Sequence, residues 1–357
     1  MKLSKLLLRI FFSTLILGLL AILGYPSPSI SDPPTTGPQD VPTISTATHL
    51  EAWQAYRNHE FDRVIELLQP IEDNQILEVD AGRVLARTYY EQNRFQRSAR
   101  VWNRIVPRLH NKHTLKQARK FRDRSRELHQ LELSSHHYNH FMILMAQDLS
   151  RSVANEINHQ LERAYEAVGS DLNTYPERKL TVIIHRPGSY RTVVERPIRS
   201  GGLIDGKIHV KYNEDQDISY DHRTLVHEYT HALIHSLTRE NVPLWFNEGL
   251  ATFQEYRQTG QKFRYTLMPE HPPQQTIESL SEINEMFHNQ EKKDVNQVRL
   301  AYEYSHSLIQ FFEEHHDLFT IQELLKKTGE TSDFEKALID TINQSKQNFR
   351  YNWESWI

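Results

Sequence analysis

The sequence predicts an α+β chain in which an all-α helical-repeat region precedes a small sheet packed with helices. Three observations carry this reading. Aromatic and apolar residues recur with a period of 34 between positions 56 and 102. Short apolar runs, FMILMA, LTVIIH and KIHVKY, lie between positions 141 and 212. From Thr224 almost to the C-terminus, apolar residues follow the helical period.

The chain has 357 residues, of which 38% are hydrophobic and 25% charged, enough for two or three domains with a sizeable core. A formal net charge of -4 argues against a protein that binds nucleic acid over its whole surface, and none is expected as a partner. The absence of cysteine excludes disulfides, thiolate metal sites and a lipid-modified cysteine anchor. Any metal must be held by histidine and carboxylate, and the chain carries 20 histidines.

At the N-terminus, Lys2, Lys5 and Arg9 precede an uncharged apolar run over 10–25. The run is long for a signal-peptide core and short for a full membrane span. The basic flank predicts a cytoplasmic N-terminus with the remainder outside. Residues 1–25 are therefore expected to be a signal peptide or signal anchor. That makes the chain extracytoplasmic, membrane-anchored if uncleaved and periplasmic or secreted if cleaved. Residues 26–47, rich in Pro, Ser and Thr, read as an extended linker.

Tyr56 and Tyr90, Phe61 and Phe95, Val64 and Ser98, and Leu68 and Trp102 form four pairs with one common separation, and Pro70 and Pro107 close the two segments. This pattern resembles tetratricopeptide repeats and implies helix-turn-helix units over 48–130, with a possible protein partner. Two units are few, so a third, degenerate unit or the following domain should cap them. Residues 83–126 hold 14 Lys and Arg against Glu91 and Asp123 alone. Such a face is either simply solvated or suited to an acidic partner or anionic headgroups. In KIHVKY the alternation puts Ile208, Val210 and Tyr212 on one face, leaving His209 on the polar, solvated side.

The segment TLVHEYTHALIHSL holds the chemistry. Leu225, Ala232, Leu233 and Leu237 have helical spacing, and Asp221 is placed to cap the helix. His227 and His231 are i and i+4, so both imidazoles leave one face and can reach a single zinc ion. Glu228, about 100° round the helix, is badly placed to ligate but can reach water beside the metal. The five-residue pattern alone would equally suit two solvated or core histidines. Zinc chemistry needs a third protein ligand, and Glu248 in VPLWFNEGLATFQEY follows His231 on the next predicted helix. Pro243 breaks the loop before it. Leu244, Trp245, Leu250, Ala251 and Phe253 would pack this second helix on the first and aim Glu248 at the histidines, with Gly249 allowing their backbones to approach.

HEYTH followed by PLWFNEGLA resembles the gluzincin metallopeptidases, specifically the compact peptidase MA-like group, over roughly 140–357. The resemblance implies one zinc ion on His227, His231 and Glu248, with Glu228 as general base. RLAYEYSHSLIQFF resembles the later helix in which a tyrosine donates to the oxyanion. The match falls on Tyr302, three residues before the small Ser305, with Tyr304 as the alternative.

Two departures matter. Thr252 stands where thermolysin-like enzymes carry an Asp that supports a ligating histidine. Ile204 stands where the clan's aminopeptidases carry an amine-binding Glu, which favours an endopeptidase. His235 reads as a surface or supporting residue, since the third ligand is already supplied. The expected protein has residues 131–357 as a peptidase MA-like domain and acts as a zinc-dependent peptidase on a peptide or protein substrate. The alternative readings are a non-catalytic repeat scaffold with a structural zinc domain, and a membrane-surface module using the basic face.

Overall fold

Ser45 starts the first helix, its hydroxyl accepting from the Thr48 backbone N–H as an N-cap. The computed structural model describes residues 45–72, 78–190, 193, 205–212, 222–239, 241–288 and 295–357. The N-terminal apolar segment, most of the linker, Ile204 and the capping residue Asp221 lie outside the described residues. Among the described residues no helix is long and apolar enough to cross a membrane.

Among the described residues five helices come first: α1 (Thr46–Arg57), α2 (Phe61–Leu68), α3 (Val79–Glu91), α4 (Phe95–Ile105) and α5 (Lys112–Gln130). Each packs on the next, and α3 also touches α1 and α5. The turns that close α1 and α3 use His59 (φ 59°) and Asn93 (φ 60°), one repeat apart and both in the left-handed region. Pro70 and Pro107 each sit in a 3-10 turn that ends α2 and α4. Beyond each turn the phenylalanine is buried, Phe61 and Phe95 alike, where it joins the aromatic of the preceding helix.

A four-stranded sheet follows in the order β1 (Leu133–His137), β2 (Phe141–Ala146), β3 (Leu180–His185), β4 (Ile208–Lys211). β1 and β2 are antiparallel; β2 with β3 and β3 with β4 are parallel. The β2–β3 crossover is α6 (Arg151–Asp171). Strand pleating sends alternate side chains to opposite faces. Ile143, Met145, Val182, Ile184, Ile208 and Val210 point into one core with α6 and the later helices. Leu144 and Ile183 point the other way, into the core formed by the five N-terminal helices. The sheet is therefore covered on both faces, which suits the unbroken apolar runs of β2 and β3.

The double cover corrects the reading of His209. The residue is on the face opposite Ile208 and Val210, but the helical array roofs that face, and His209 is buried.

The longer helices described after the sheet are α7 (His222–Thr238), α8 (Leu244–Thr259), α9 (Leu280–His288), α10 (Val295–Thr331), α11 (Phe334–Ile342) and α12 (Lys346–Trp356). α10 kinks at Asp317 (φ 63°). α8 is sandwiched between α7 and α10, and Trp353 of α12 is buried, with its indole N–H donating to Ser307 of α10 at 3.1 Å. The arrangement is α+β, mostly helical with one small mixed sheet.

Candidate metal centre

On α7, His227 and His231 are one turn apart, and their Nε2 atoms stand 3.0 Å from each other. Pro243, as N-cap of α8, turns the chain back so that α8 lies across α7. Glu248 then presents Oε2 at 3.7 Å from Nε2 of His227 and 3.6 Å from Nε2 of His231. Atoms bound tetrahedrally at zinc distances are separated by about 3.3 Å, so the triangle fits one such ion with little movement. Glu248 Oε2 is buried and has no hydrogen-bond partner. A desolvated carboxylate oxygen facing two imidazole nitrogens is stabilised by a cation among them. Among the described residues, this trio is the only group of three such side chains close enough to hold a metal ion.

The electrostatics agree with the geometry. Burial opposes charge on Glu248, yet the facing His231 and His227 hold its carboxyl well below the ordinary range. Burial likewise opposes charge on His227, but Glu248 and Glu255 together raise it to about 10. Without a metal, a proton is therefore held among these groups, and metal binding would release it.

Both histidines are oriented from behind. His227 Nδ1 is 3.1 Å from Oε2 of Glu255, and His231 Nδ1 is 3.0 Å from Oδ1 of Asn247. These acceptors favour the tautomer with hydrogen on Nδ1, leaving each Nε2 lone pair for a metal. Arg223 anchors the Glu255 carboxylate through Nε at 3.0 Å. Burial opposes charge on Glu255, but His227 and Arg223 keep its carboxyl below the ordinary value. Thr252 is buried with its hydroxyl unpartnered and supports neither histidine. Glu255 and Asn247 escaped the sequence reading. Glu255 lies two turns beyond Glu248 along the same face of α8, and that spacing was the available signal.

Glu228 is half-buried on α7, and its charge is felt by both His227 and Tyr302. Tyr302 on α10 packs edge-on against Phe287 at 5.0 Å. The adjacent Glu248 charge, then burial, raises its hydroxyl well above the usual value. Tyr304 points elsewhere, its hydroxyl donating to the His271 carbonyl at 2.5 Å. The two tyrosines thus differ: Tyr304 is engaged with the His271 carbonyl, whereas Tyr302 feels the Glu248 charge.

Two expectations are corrected. A Cβ on Gly249 would meet the Ser305 carbonyl oxygen at 2.5 Å, so this glycine brings α8 close to α10 rather than to α7. That approach brings the stretch of α10 that carries Tyr302, one turn before Ser305, against α8. Of the two readings of His235, the surface one falls: the residue is buried and packs on Gly206 (φ +74°), where an added Cβ would lie 2.2 Å from its Nδ1.

Residues 202–357, which carry every side chain of this centre, match the family model of the Peptidase MA superfamily. That portion is thus peptidase MA-like, and the match suggests a metallopeptidase-like hydrolase, in a superfamily that is typically zinc-dependent. The first three strands and the helical array lie outside the matched residues. No curated protein matches the chain.

Proposed function

We propose that this chain is an exported or membrane-anchored zinc-dependent metallopeptidase that cleaves peptide bonds internally. One observation carries the reading: a buried Glu248 oxygen with no hydrogen-bond partner converges with two Nε2 atoms that are oriented from behind. The charges of Glu248 and Glu228 both bear on the Tyr302 hydroxyl, which supports roles for Glu228 and Tyr302 there. Zinc bound there would polarise a scissile carbonyl and acidify water.

The residues supply the rest. Glu228 accepts the proton of the attacking water and returns it to the leaving amine. The Tyr302 hydroxyl donates toward the oxygen that gains charge in the transition state, a contribution of roughly 3 kcal/mol where such a donor has been removed in other enzymes. Among the described residues β4 is an outer strand of the sheet, beside α7, which supports addition of an extended substrate to its edge. Ile204, in place of an amine-binding acid, supports endopeptidase over aminopeptidase activity. The basic, apolar N-terminus supports export, and the paired helices α1 to α4 support tetratricopeptide-like units.

The test is zinc content and peptide cleavage by the chain from residue 45 onward. One zinc per chain is expected, lost in His231→Ala and Glu248→Gln, and Glu228→Gln should keep the metal while losing cleavage. A parent chain that takes up no zinc after loading would overturn the reading and favour a non-catalytic scaffold.

A further inference from the structure

The sequence period marks more than helix packing. Tyr56, Tyr90 and Arg124 recur at that same period and lie on α1, α3 and α5. All three meet the sheet-and-helix half of the chain. The Arg239 guanidinium lies over the Tyr56 ring at 4.8 Å, and the Lys207 ammonium lies over the Tyr90 ring at 4.9 Å. One turn on, Phe61 lies under Arg178 at 4.2 Å and Phe95 under Lys207 at 5.8 Å. Between these aromatics, Asn93 accepts from Lys207 Nζ at 2.8 Å and donates to Thr181 Oγ1 at 3.1 Å. Arg57 donates to the carbonyls of Gly329 (3.0 Å) and Glu330 (2.7 Å). Each unit thus offers an aromatic socket to a basic side chain of the other half.

At the third position the polarity inverts. Arg124 Nη1 donates to Asp205 at 2.7 Å, and its Nη2 to the Val193 carbonyl at 3.0 Å. Asp205 also accepts from the Tyr90 hydroxyl, from the Lys207 backbone N–H at 3.1 Å and from His209 at 3.1 Å, and His209 is 2.8 Å from His185. Asp205, Arg124, Tyr90, Lys207, His209 and His185 are all at most 7% exposed. Charges so far from water persist only when mutually satisfied, and such networks fix one geometry. Asp205 leads directly into Gly206, which packs on His235, one turn after His231 on α7. Arg239, held over Tyr56, directly follows the C-terminal end of α7.

We propose that the helical array is an internal clamp on the metal-site half, with Tyr56, Tyr90 and Arg124 as positioning residues that hold β4 and the C-terminal half of α7. The face bearing these three residues is closed to an outside partner because the chain's own second half occupies it.

The test uses the described chain from residue 45, with Arg124→Gln, Tyr90→Phe as the milder variant, Arg124→Lys as conservative rescue, and Arg100→Gln on the exposed side of α4 as control. Amide hydrogen exchange and titration with cobalt(II), whose absorption reports coordination geometry, are the readouts. Arg124→Gln should speed exchange across 208–211 and 230–238 about 10-fold and weaken cobalt binding several-fold. Tyr90→Phe should do so to a smaller degree, Arg124→Lys should recover most of the loss, and Arg100→Gln should change nothing. Faster exchange confined to α3, α4 and α5, with β4, α7 and cobalt binding unaltered, would overturn the clamp. If the parent binds no cobalt, the metal reading fails and the exchange measurement still decides this one.

Discussion

Glu255 and Asn247 hold the imidazoles of His227 and His231 at 3.1 and 3.0 Å, while Thr252, placed nearby in sequence, holds neither. Removing an acceptor behind a metal-bound histidine costs about 10- to 100-fold in metal affinity. Glu255→Ala and Asn247→Ala should each show a loss of that order in zinc competition against a chromophoric chelator. Thr252→Val, which deletes a buried hydroxyl with no partner, should leave zinc affinity unchanged and stability equal or higher. A second residue gives a pH signature. His306 is buried, stacked on Phe263 at 4.1 Å and 2.8 Å from the Tyr265 hydroxyl. Burial pushes its imidazole down to about 4 from 6.5. Between those values the unfolded chain binds the proton and the folded chain does not, so stability present above pH 6.5 is lost as pH falls through about 4. The full effect is about 3 kcal/mol, and His306→Asn should flatten this part of the acid limb in denaturant titrations at pH 7, 5.5 and 4.

Among the elements, α8 is the keystone, since it carries Glu248, Asn247 and Glu255 toward α7 and turns Gly249 toward α10. Gly249→Ala would place a Cβ 2.5 Å from the Ser305 carbonyl oxygen and so force the α10 backbone away. Overpacking of this kind costs about 1–3 kcal/mol, visible as a lower thermal midpoint, and it should also displace Tyr302 and reduce turnover more than zinc content. Much of this arrangement was legible. The i, i+4 histidines fix one face of α7, Pro243 marks the start of α8, and the apolar runs of β2 and β3 mark strands. The face of β4 bearing His209 was not legible, because its cover comes from Tyr90 and Arg124, far upstream in the chain. The partner of Gly249 was equally hidden, since a glycine signals close approach without saying to what. The supporting roles of Glu255 and Asn247 depend on the crossing of α7 and α8, which no local pattern specifies.

For the whole molecule, the decisive fact is that the described chain has no dry seam at which to come apart. Leu144 and Ile183 of the sheet share a core with the helical array, while their neighbours Ile143, Val182 and Ile184 share the other core with α6 and α7. Separating the array would expose one entire face of the sheet and strand the buried pair of Arg124 and Asp205. The shared apolar face and this bridging pair couple the two cores. The chain from residue 45 should therefore unfold in a single calorimetric transition whose van't Hoff and calorimetric enthalpies agree. Zinc, binding the folded chain at Glu248 and the two histidines, should move that one transition upward as a unit, by an amount set by its concentration over its dissociation constant. Two resolved transitions, with zinc shifting only the later one, would show that the array and the metal-site half are energetically separate despite their shared sheet.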